Sequence, residues 1–340
     1  MSPHDLPDLE ERLSRPTPAV IDLMRQIPGD FIVLGAAGKM GPSLAGMIKR
    51  ASDDAGTPRR VIAVSRFSSP GSQEEFNAHG IETVARDLLD ANAVAYLPAA
   101  ANVIYMAGMK FGATGNESLT WAMNAWLPGI VCERYSRSRI VAFSTGNVYG
   151  LVPVASGGSV ETDPPRPDGE YAMTTLGRER MFQYHSQVQQ TPIALLRLNY
   201  ATELRYGVLV DMARDVAAGR PVDISMGHVN VIWLTDANAM TLAAFDHVAA
   251  PARIINLAGG EILNMRAVCE QFGRALDRTP SFVGHEGPDA LLNNGHGGFP
   301  LLGQPQVDAA QMIQWTADWV ARGGENYGKP THFQTRSGKF

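Results

Sequence analysis

Residues 31–41, FIVLGAAGKMG, decide the fold of this 340-residue chain. The apolar run 31–34 predicts a buried strand, and three glycines follow it where the pattern turns into a helix. Because glycine lacks a Cβ atom, the first permits a tight turn and the second lets the backbone approach a pyrophosphate. The third allows close packing of helix on strand, and the amides at the helix start face the phosphates. The stretch predicts a dinucleotide-binding turn, with contacts from Gly35, Ala37, Gly38, Lys39, Met40 and Gly41.

Short apolar runs alternate with helix-like segments along most of the chain. The apolar runs are residues 31–34, 61–64, 103–106, 140–143, 193–196, 231–233 and 254–257. Most of them are apolar on both faces, as strands buried in a parallel sheet are. The helical segments are residues 42–51, 117–135, 171–189 and 236–248. This alternation predicts an α/β fold, a doubly wound parallel sheet of the Rossmann type.

The same pattern divides the chain into parts. Residues 1–28 form an N-terminal extension with a short helix, and residues 29–200 form the Rossmann core, completed by about 229–258. After residue 198, stretches rich in Gly, Pro and Asn indicate long loops, which often shape a substrate pocket. We therefore assign 201–228 and 259–322 to a smaller C-terminal substrate lobe, and 323–340 to a polar tail.

Composition excludes several classes of protein. With 45% hydrophobic residues the chain can bury a core, and a net charge of −5 argues against a dedicated nucleic-acid binder. Two cysteines without CxxC spacing make neither a disulfide framework nor a metal site. The sequence has no secretory signal and no apolar run of about 20 residues. We expect a cytoplasmic protein with no metal and no membrane or nucleic-acid partner.

The end of the second predicted strand bears on the type of dinucleotide. An acidic residue there would bind the adenosine ribose hydroxyls and favour NAD, but the sequence has Ser65 and Arg66. A guanidinium fork suits a 2′-phosphate. We expect NADP in preference to NAD.

Further motifs follow in order along the chain. They are IYMAGMKF (104–111), FSTGNVYG (143–150), YAMTT (171–175), LLRLNY (195–200) and VIWLTDAN (231–238). Together with the glycine turn they resemble the extended short-chain dehydrogenase/reductase family, the NAD(P)-dependent sugar epimerases and dehydratases. The resemblance runs from residue 31 to about residue 321.

The resemblance implies further contacts with the cofactor. Asp87 and Leu88 correspond to residues near the adenine. Residues 104–111 look like the UDP-galactose 4-epimerase form of this loop, which implies that Ala107, Gly108 and Lys110 lie along the cofactor. Asn124 matches the family's helix asparagine. Members of the family often dimerise through a four-helix bundle, which implies a homodimer.

The resemblance also assigns the chemistry. Thr145 takes the place of the Ser/Thr that polarises the substrate oxygen, and Tyr171, 26 residues later, takes the place of the proton-transferring tyrosine. The family's lysine four residues on shares a helix face with that tyrosine. Its charge lowers the pKa of the family tyrosine from about 10 toward neutral. Thr175 stands at this place and cannot supply the charge.

Three interpretations follow. Tyr171 could act with the nicotinamide ring or Lys110 providing the charge, or another residue could be the base while Tyr171 orients the substrate. In the third, the chain is a non-catalytic NAD(P)-binding sensor. We expect an oxidoreductase or epimerase that acts on a hydroxyl of a sugar, nucleotide sugar or sugar acid. Asn199, Arg205 and Arg266 are candidate substrate contacts, and the sequence leaves open whether the reaction is oxidation or epimerisation.

Overall fold

Strand β1 (Phe31–Leu34) lies inside a seven-stranded parallel sheet in the computed structural model, which describes residues 1–338. The strand order across the sheet is β12-β7-β5-β4-β1-β2-β3. Two apolar clusters fill the space between the sheet and the helices on its two faces. This arrangement confirms the predicted doubly wound α/β fold, and it places the carboxyl ends of β1, β4 and β5 along one edge.

The strands of the central sheet are β1 (Phe31–Leu34), β2 (Val61–Ser65), β3 (Glu82–Ala85), β4 (Asn102–Tyr105), β5 (Arg139–Thr145), β7 (Ile193–Leu198) and β12 (Arg253–Leu257). Two-residue strands form small pairs outside it: β6 (Val152–Pro153), β8 (Ala201–Thr202), β9 (Val222–Asp223), β10 (His228–Val229), β11 (Ile232–Trp233), β13 (Leu263–Asn264), β14 (Phe282–Val283) and β15 (Asp289–Ala290).

The α-helices are α1 (Leu6–Leu13), α2 (Pro18–Gln26), α3 (Gly41–Asp54), α4 (Ser72–Ala78), α5 (Ala91–Ala95), α6 (Glu117–Trp121), α7 (Leu127–Arg134), α8 (Gly169–Gln189), α9 (Val208–Ala217), α10 (Leu234–Ala243), α11 (Met265–Leu276), α12 (Phe299–Leu302) and α13 (Ala309–Ala321). Short 3₁₀ turns cover Gly146–Tyr149, Val154–Ser156 and Ala244–His247.

The N-terminal extension contains two helices, where the sequence analysis expected one. Helix α2 is the expected one, and the Thr17 hydroxyl accepts a hydrogen bond from the Val20 amide, so that Thr17 caps it. The additional helix, α1, is capped by Asp5 and buries Leu9 and Leu13. These two leucines pack into the core of the C-terminal lobe. The extension therefore bridges the two parts of the molecule.

The predicted helix 117–135 is interrupted by a π-helical turn, Ala122–Trp126, between α6 and α7. Pro128 has no amide hydrogen, so it cannot donate to the carbonyl of Asn124 as a residue inside an α-helix would. The Arg178 Nε atom donates to that carbonyl instead, at 3.4 Å. Proline inside the apparent helix therefore accounts for the interruption.

The C-terminal lobe has its own core, formed mainly by α9, α11 and α13. The tail, as far as residue 338, packs against this lobe, with Phe333 buried. The Thr331 amide and hydroxyl both donate to the Asp211 carboxylate, at 2.7 and 2.6 Å. Residues 339–340 of the predicted tail lie outside the described residues.

Candidate active site

The glycine turn between β1 and α3 has the geometry that its sequence predicts. Gly35 has φ +89°, and a Cβ atom there would lie 2.6 Å from the amide nitrogen of Ala107. A Cβ atom on Gly41 would lie 1.7 Å from the Ala36 carbonyl oxygen. At Gly38 the nearest atom would be 3.6 Å away, so there is room above it. The first and third glycines thus allow close packing, and the second borders open space.

A cavity of about 630 Å³ lies over this turn. Ten of the predicted cofactor contacts line it: Gly35, Ala37, Gly38, Lys39, Ser65, Arg66, Asp87, Leu88, Ala107 and Gly108. The lining brings together the glycine turn, the end of β2 and the loops after β3 and β4. Backbone amides and cationic side chains at such an edge are suited to an adenosine diphosphate group. The residues present therefore fit an NAD(P) cofactor.

The cavity also has walls that sequence reasoning missed. Beyond Arg66 it is lined by Phe67, Ser68, Ser69, Ser72 and Arg86. Ser68 and Ser69, two and three residues after Arg66, were a readable signal, because hydroxyls beside a guanidinium suit a phosphate. Helix α1 contributes Leu6, Glu10 and Leu13, and the tail contributes Glu325, Tyr327 and Lys329. No sequence pattern connects these two chain ends with the glycine turn.

Thr145 ends strand β5 and is 5% exposed. Its hydroxyl donates to the Asn147 side-chain carbonyl at 3.1 Å and accepts from the Asn147 amide. The 3₁₀ turn that follows is therefore tied to the threonine. This fixes the Thr145 hydroxyl at the carboxyl end of a central strand, the edge at which ligands bind in open α/β sheets.

Tyr171 lies in the first turn of α8, and Thr175 is fully buried one turn later. The Thr175 hydroxyl donates to the Tyr171 backbone carbonyl at 2.8 Å, so it is directed into its own helix. The nearby cation comes from the loop after β4: Lys110 Nζ lies 5.5 Å from the centre of the Tyr171 ring. Burial, and to a smaller extent the neighbouring charge of Lys39, lower the pKa of the Lys110 ammonium to about 8.

Charged side chains hold α8 against β5. Arg178, two turns after Tyr171, donates to the Phe143 carbonyl at 2.9 Å and to the Asn124 side-chain oxygen at 2.7 Å. Glu179 accepts from the Ser144 hydroxyl at 2.5 Å and forms a buried ion pair with Arg197. These contacts attach the Tyr171 helix directly to the strand that ends in Thr145.

Asn124, in the π-helical turn, links the loop after β4 to helix α8. Its side-chain amide donates to the Met109 carbonyl and to the Thr174 hydroxyl, and its oxygen accepts from the Met109 amide. It therefore positions the loop that carries Lys110. Five of the predicted cofactor contacts do not line the cavity, and their direct contact with the cofactor stays a prediction: Met40, Gly41, Lys110, Asn124 and Tyr171.

The three candidate substrate contacts have partners within the protein. Asn199 is buried and donates to the Asn230 side-chain oxygen at 2.7 Å. Arg205 pairs with Glu203 at 3.1 Å and with Glu10 at 2.9 Å, and Arg266 pairs with Glu286 at 3.0 Å. Of these three, Arg205 lines the dinucleotide cavity.

Within residues 1–338, no cluster of three or more His, Cys, Asp or Glu side chains is arranged to hold a metal ion. Every helix described is too short or too polar to span a lipid bilayer. Cys132 and Cys269 are both free and buried.

The fold and the site define a Rossmann protein with a dinucleotide cavity over its glycine turn. Residues 31–259 match the model of the NAD dependent epimerase/dehydratase family. The chain belongs to this family of NAD(P)-dependent enzymes, which confirms the resemblance seen in the sequence. No curated protein matches the chain.

Solved structures show the same fold at low sequence identity. UDP-glucuronic acid 4-epimerase from Bacillus cereus, in complex with UDP-glucuronic acid and NAD, has a TM-score of 0.71 and 16% identity, over 86% of this chain and 99% of that one. UDP-glucose 4-epimerase from Thermotoga maritima has a TM-score of 0.69 and 16% identity, over 86% of this chain and 99% of that one. dTDP-glucose 4,6-dehydratase from Bacillus anthracis has a TM-score of 0.71 and 14% identity, over 86% of this chain and 96% of that one.

Proposed function

We propose that this protein is an NAD(P)-dependent oxidoreductase or epimerase that acts on a hydroxyl of a sugar, nucleotide sugar or sugar acid. The observation that carries the proposal is the cavity over the glycine turn, lined by ten residues that the sequence marked as cofactor contacts. The similar epimerase from Bacillus cereus binds a nucleotide sugar together with NAD. A bound nicotinamide would supply the hydride acceptor.

The chain's own residues would handle the proton and the substrate oxygen. Tyr171 would take the proton of the reacting hydroxyl. Thr145 would turn its hydroxyl from Asn147 to the substrate oxygen and stabilise the charge that develops there. Lys110, close to the Tyr171 ring, would favour the deprotonated phenol by its positive charge.

The first experiment is calorimetric titration of the purified protein with NADP(H) and NAD(H), followed by a turnover screen on sugars, sugar acids and nucleotide sugars. Tyr171→Phe should abolish turnover and leave cofactor affinity nearly unchanged. An unaltered rate in that variant would remove Tyr171 from the mechanism. Absence of binding by either cofactor would refute the proposal as a whole.

We propose that NADP is the preferred cofactor. Arg66 lines the cavity beside Ser65, Ser68 and Ser69, a set of donors suited to a 2′-phosphate. Arg66→Ala should weaken NADP binding by about 10- to 100-fold, the value of one charge-assisted contact, and leave NAD binding unchanged. Arg220→Ala, which removes an exposed arginine paired with Asp215, is the matched control. Equal losses for both cofactors would contradict this role of Arg66.

A non-catalytic NAD(P)-binding sensor is the second candidate function. The observation that favours it is Thr175, whose hydroxyl bonds to the backbone of its own helix at the place of the family lysine. A sensor should bind the dinucleotide and show no turnover on the whole panel of substrates. It should also change its conformation or partner binding when the cofactor is added.

We propose that the protein forms a homodimer through α6, α8 and the π-helical turn. Six large apolar side chains on these elements are exposed: Leu119, Trp121, Trp126, Met173, Tyr184 and Val188. Helix α6 and the π-helical turn both pack against α8, and several exposed apolar side chains on neighbouring elements favour an interface. Trp126→Asp should convert the dimer to a monomer in light-scattering chromatography, and Tyr96→Asp, at an exposed residue outside this surface, should not.

The two buried thiols fit a reducing compartment such as the cytoplasm.

A further inference from the structure

Lysine is rare in this chain. The sequence has five lysines, at positions 39, 49, 110, 329 and 339, against 24 arginines. Of the four lysines that the structure describes, Lys39 and Lys329 line the cavity over the glycine turn, and Lys110 is partly buried close to Lys39. Lys39 follows the second glycine of the turn, Lys110 lies in the loop after β4, and Lys329 belongs to the tail. Lys49 is elsewhere, paired with Asp53 on α3.

The Phe111 ring lies close to Lys39, to Lys110 and to the tail segment that carries Lys329. Lys39 Nζ lies 4.9 Å from the centre of its ring and Lys110 Nζ lies 5.5 Å from it. The tail passes the same ring, because the His332 ring lies 6.1 Å from it, centre to centre. Lys39 and Lys329 both line the cavity over the glycine turn.

The tail is anchored on both sides of Lys329. Before it, the Tyr327 amide donates to the Arg205 carbonyl at 3.1 Å. After it, Thr331 makes its two hydrogen bonds to the Asp211 carboxylate, and Phe333 is buried in the core of the C-terminal lobe. Lys329 itself is exposed toward the cavity. The chain therefore holds this lysine in the wall of the cavity that lies over the glycine turn.

Such a cluster of cations has an electrostatic cost. Burial, and to a smaller extent the charge of Lys329, lower the pKa of Lys39 to about 8. Asp211 opposes this effect, but its carboxylate already accepts two hydrogen bonds from Thr331. A cleft in which one sign of charge is concentrated attracts the opposite sign. A phosphate group in the cavity would relieve the repulsion among the lysines.

We propose that the C-terminal tail completes the dinucleotide site, with Lys329 and Lys39 together holding a phosphate group of the bound cofactor opposite the glycine turn. The inference rests on the proposed function, because it presumes that the cavity binds NAD(P). Lysine is a common phosphate ligand that acts as a point charge. The phosphate could belong to the pyrophosphate, which both cofactors share, or to the 2′-phosphate of NADP.

Calorimetric titration of Lys329→Met with NADP and with NAD tests the proposal. We expect affinity to fall by about 5- to 20-fold, less than for a buried contact because Lys329 is exposed. Added salt should weaken the wild-type complex more steeply than that of the variant. Equal losses for both cofactors would assign Lys329 to the pyrophosphate, and a loss for NADP alone would assign it to the 2′-phosphate. Lys49→Met is the control and should bind like the wild type.

A second measurement uses the wild-type protein and does not depend on a variant. An amine-reactive reagent should modify Lys329 more slowly when NADP is present, whereas Lys49 should react at the same rate. Unchanged affinity of Lys329→Met for both cofactors, with no protection of Lys329, would overturn the proposal. If the wild type binds neither cofactor, the proposed function itself fails, so the two failures are distinguishable.

Discussion

Removal of the Lys110 charge tests how the protein compensates for the absence of the family lysine. The Lys110 ammonium lies 5.5 Å from the centre of the Tyr171 ring. If this is taken as the charge separation, the cation stabilises a phenolate by about 3 kcal/mol at an effective dielectric constant of about 20, and by about half that at 40. Lys110→Met should therefore lower kcat/KM at pH 7 by roughly 10- to 150-fold.

The assay is the pH dependence of kcat/KM, with the active substrate from the turnover screen and a saturating cofactor. At pH 7 the wild-type Lys110 is protonated, because its pKa is about 8 before an anion binds. The difference in kcat/KM between the wild type and Lys110→Met should become smaller as the pH rises above about 8, because Lys110 then loses its charge. Lys110→Arg keeps its charge over the whole range and should retain the rate where the wild type begins to lose it.

A merely structural role of Lys110 predicts different results. The difference would then be independent of pH, and the arginine variant would be as slow as the methionine variant. A rate for Lys110→Met within a factor of two of the wild type at pH 7 would refute the electrostatic argument. Lys49→Met controls for the loss of a lysine charge remote from the site.

Three more predictions concern the same region. Glu179→Gln leaves Arg197 buried without its anionic partner and should lower the free energy of unfolding by about 3 to 5 kcal/mol in urea titrations; replacing both residues by apolar ones should recover most of the loss. In the double variant Lys110→Met/Thr175→Lys, the new lysine returns a cation to the Tyr171 helix face and should restore most of the activity that Lys110→Met loses. Thr175→Lys alone should change the wild-type rate little. A double variant that folds but stays as slow as Lys110→Met would count against this reasoning. Cofactor binding should raise the pKa of Lys39 and Lys110 above about 8, so affinity should fall as the pH rises through that value. Calorimetry near pH 8.5 in two buffers should therefore detect proton uptake.

The sequence predicts six of the seven strands of the central sheet because most of their residues are buried, whereas β3, in which no residue is buried, has no apolar run. In β1 all four residues are buried and apolar, and in β4 the three residues after the buried Asn102 are, so both strands stand out in the sequence. The glycine turn is readable for a local reason, since Gly35 has a positive φ that favours glycine and a Cβ atom on Gly41 would collide with the Ala36 carbonyl of the same turn. These features depend on a few consecutive residues and on physics that a short window contains.

Other features depend on contacts between distant parts of the chain. Arg205 pairs with Glu10, 195 positions away, and nothing in either local sequence indicates the partner. Helix α1 has only eight residues and buries two leucines, so its pattern is too short to stand out. The π-helical turn before Pro128 looks like ordinary helix because its side chains keep a helical pattern. Such elements are determined by tertiary packing.

The bias toward arginine has a physical meaning once the structure is known. The interior ion pair and the lobe contacts use arginine, whose rigid fork binds Glu179 through two nitrogen atoms. An arginine stays protonated wherever it is placed, whereas a lysine exchanges its proton when burial lowers its pKa. Lys39 and Lys110, both shifted to about 8, are cations whose charge can respond to a bound anion. The chain thus uses arginine where a fixed charge supports the fold, as at Arg197, while Arg66 and the lysines at positions 39, 110 and 329 are the cations that we propose act on the cofactor and the site. The strength of an electrostatic effect depends on the distance between the groups and not on their positions in the sequence. Lys110, in the loop after β4, can therefore supply the positive charge near Tyr171 that Thr175 on the helix cannot.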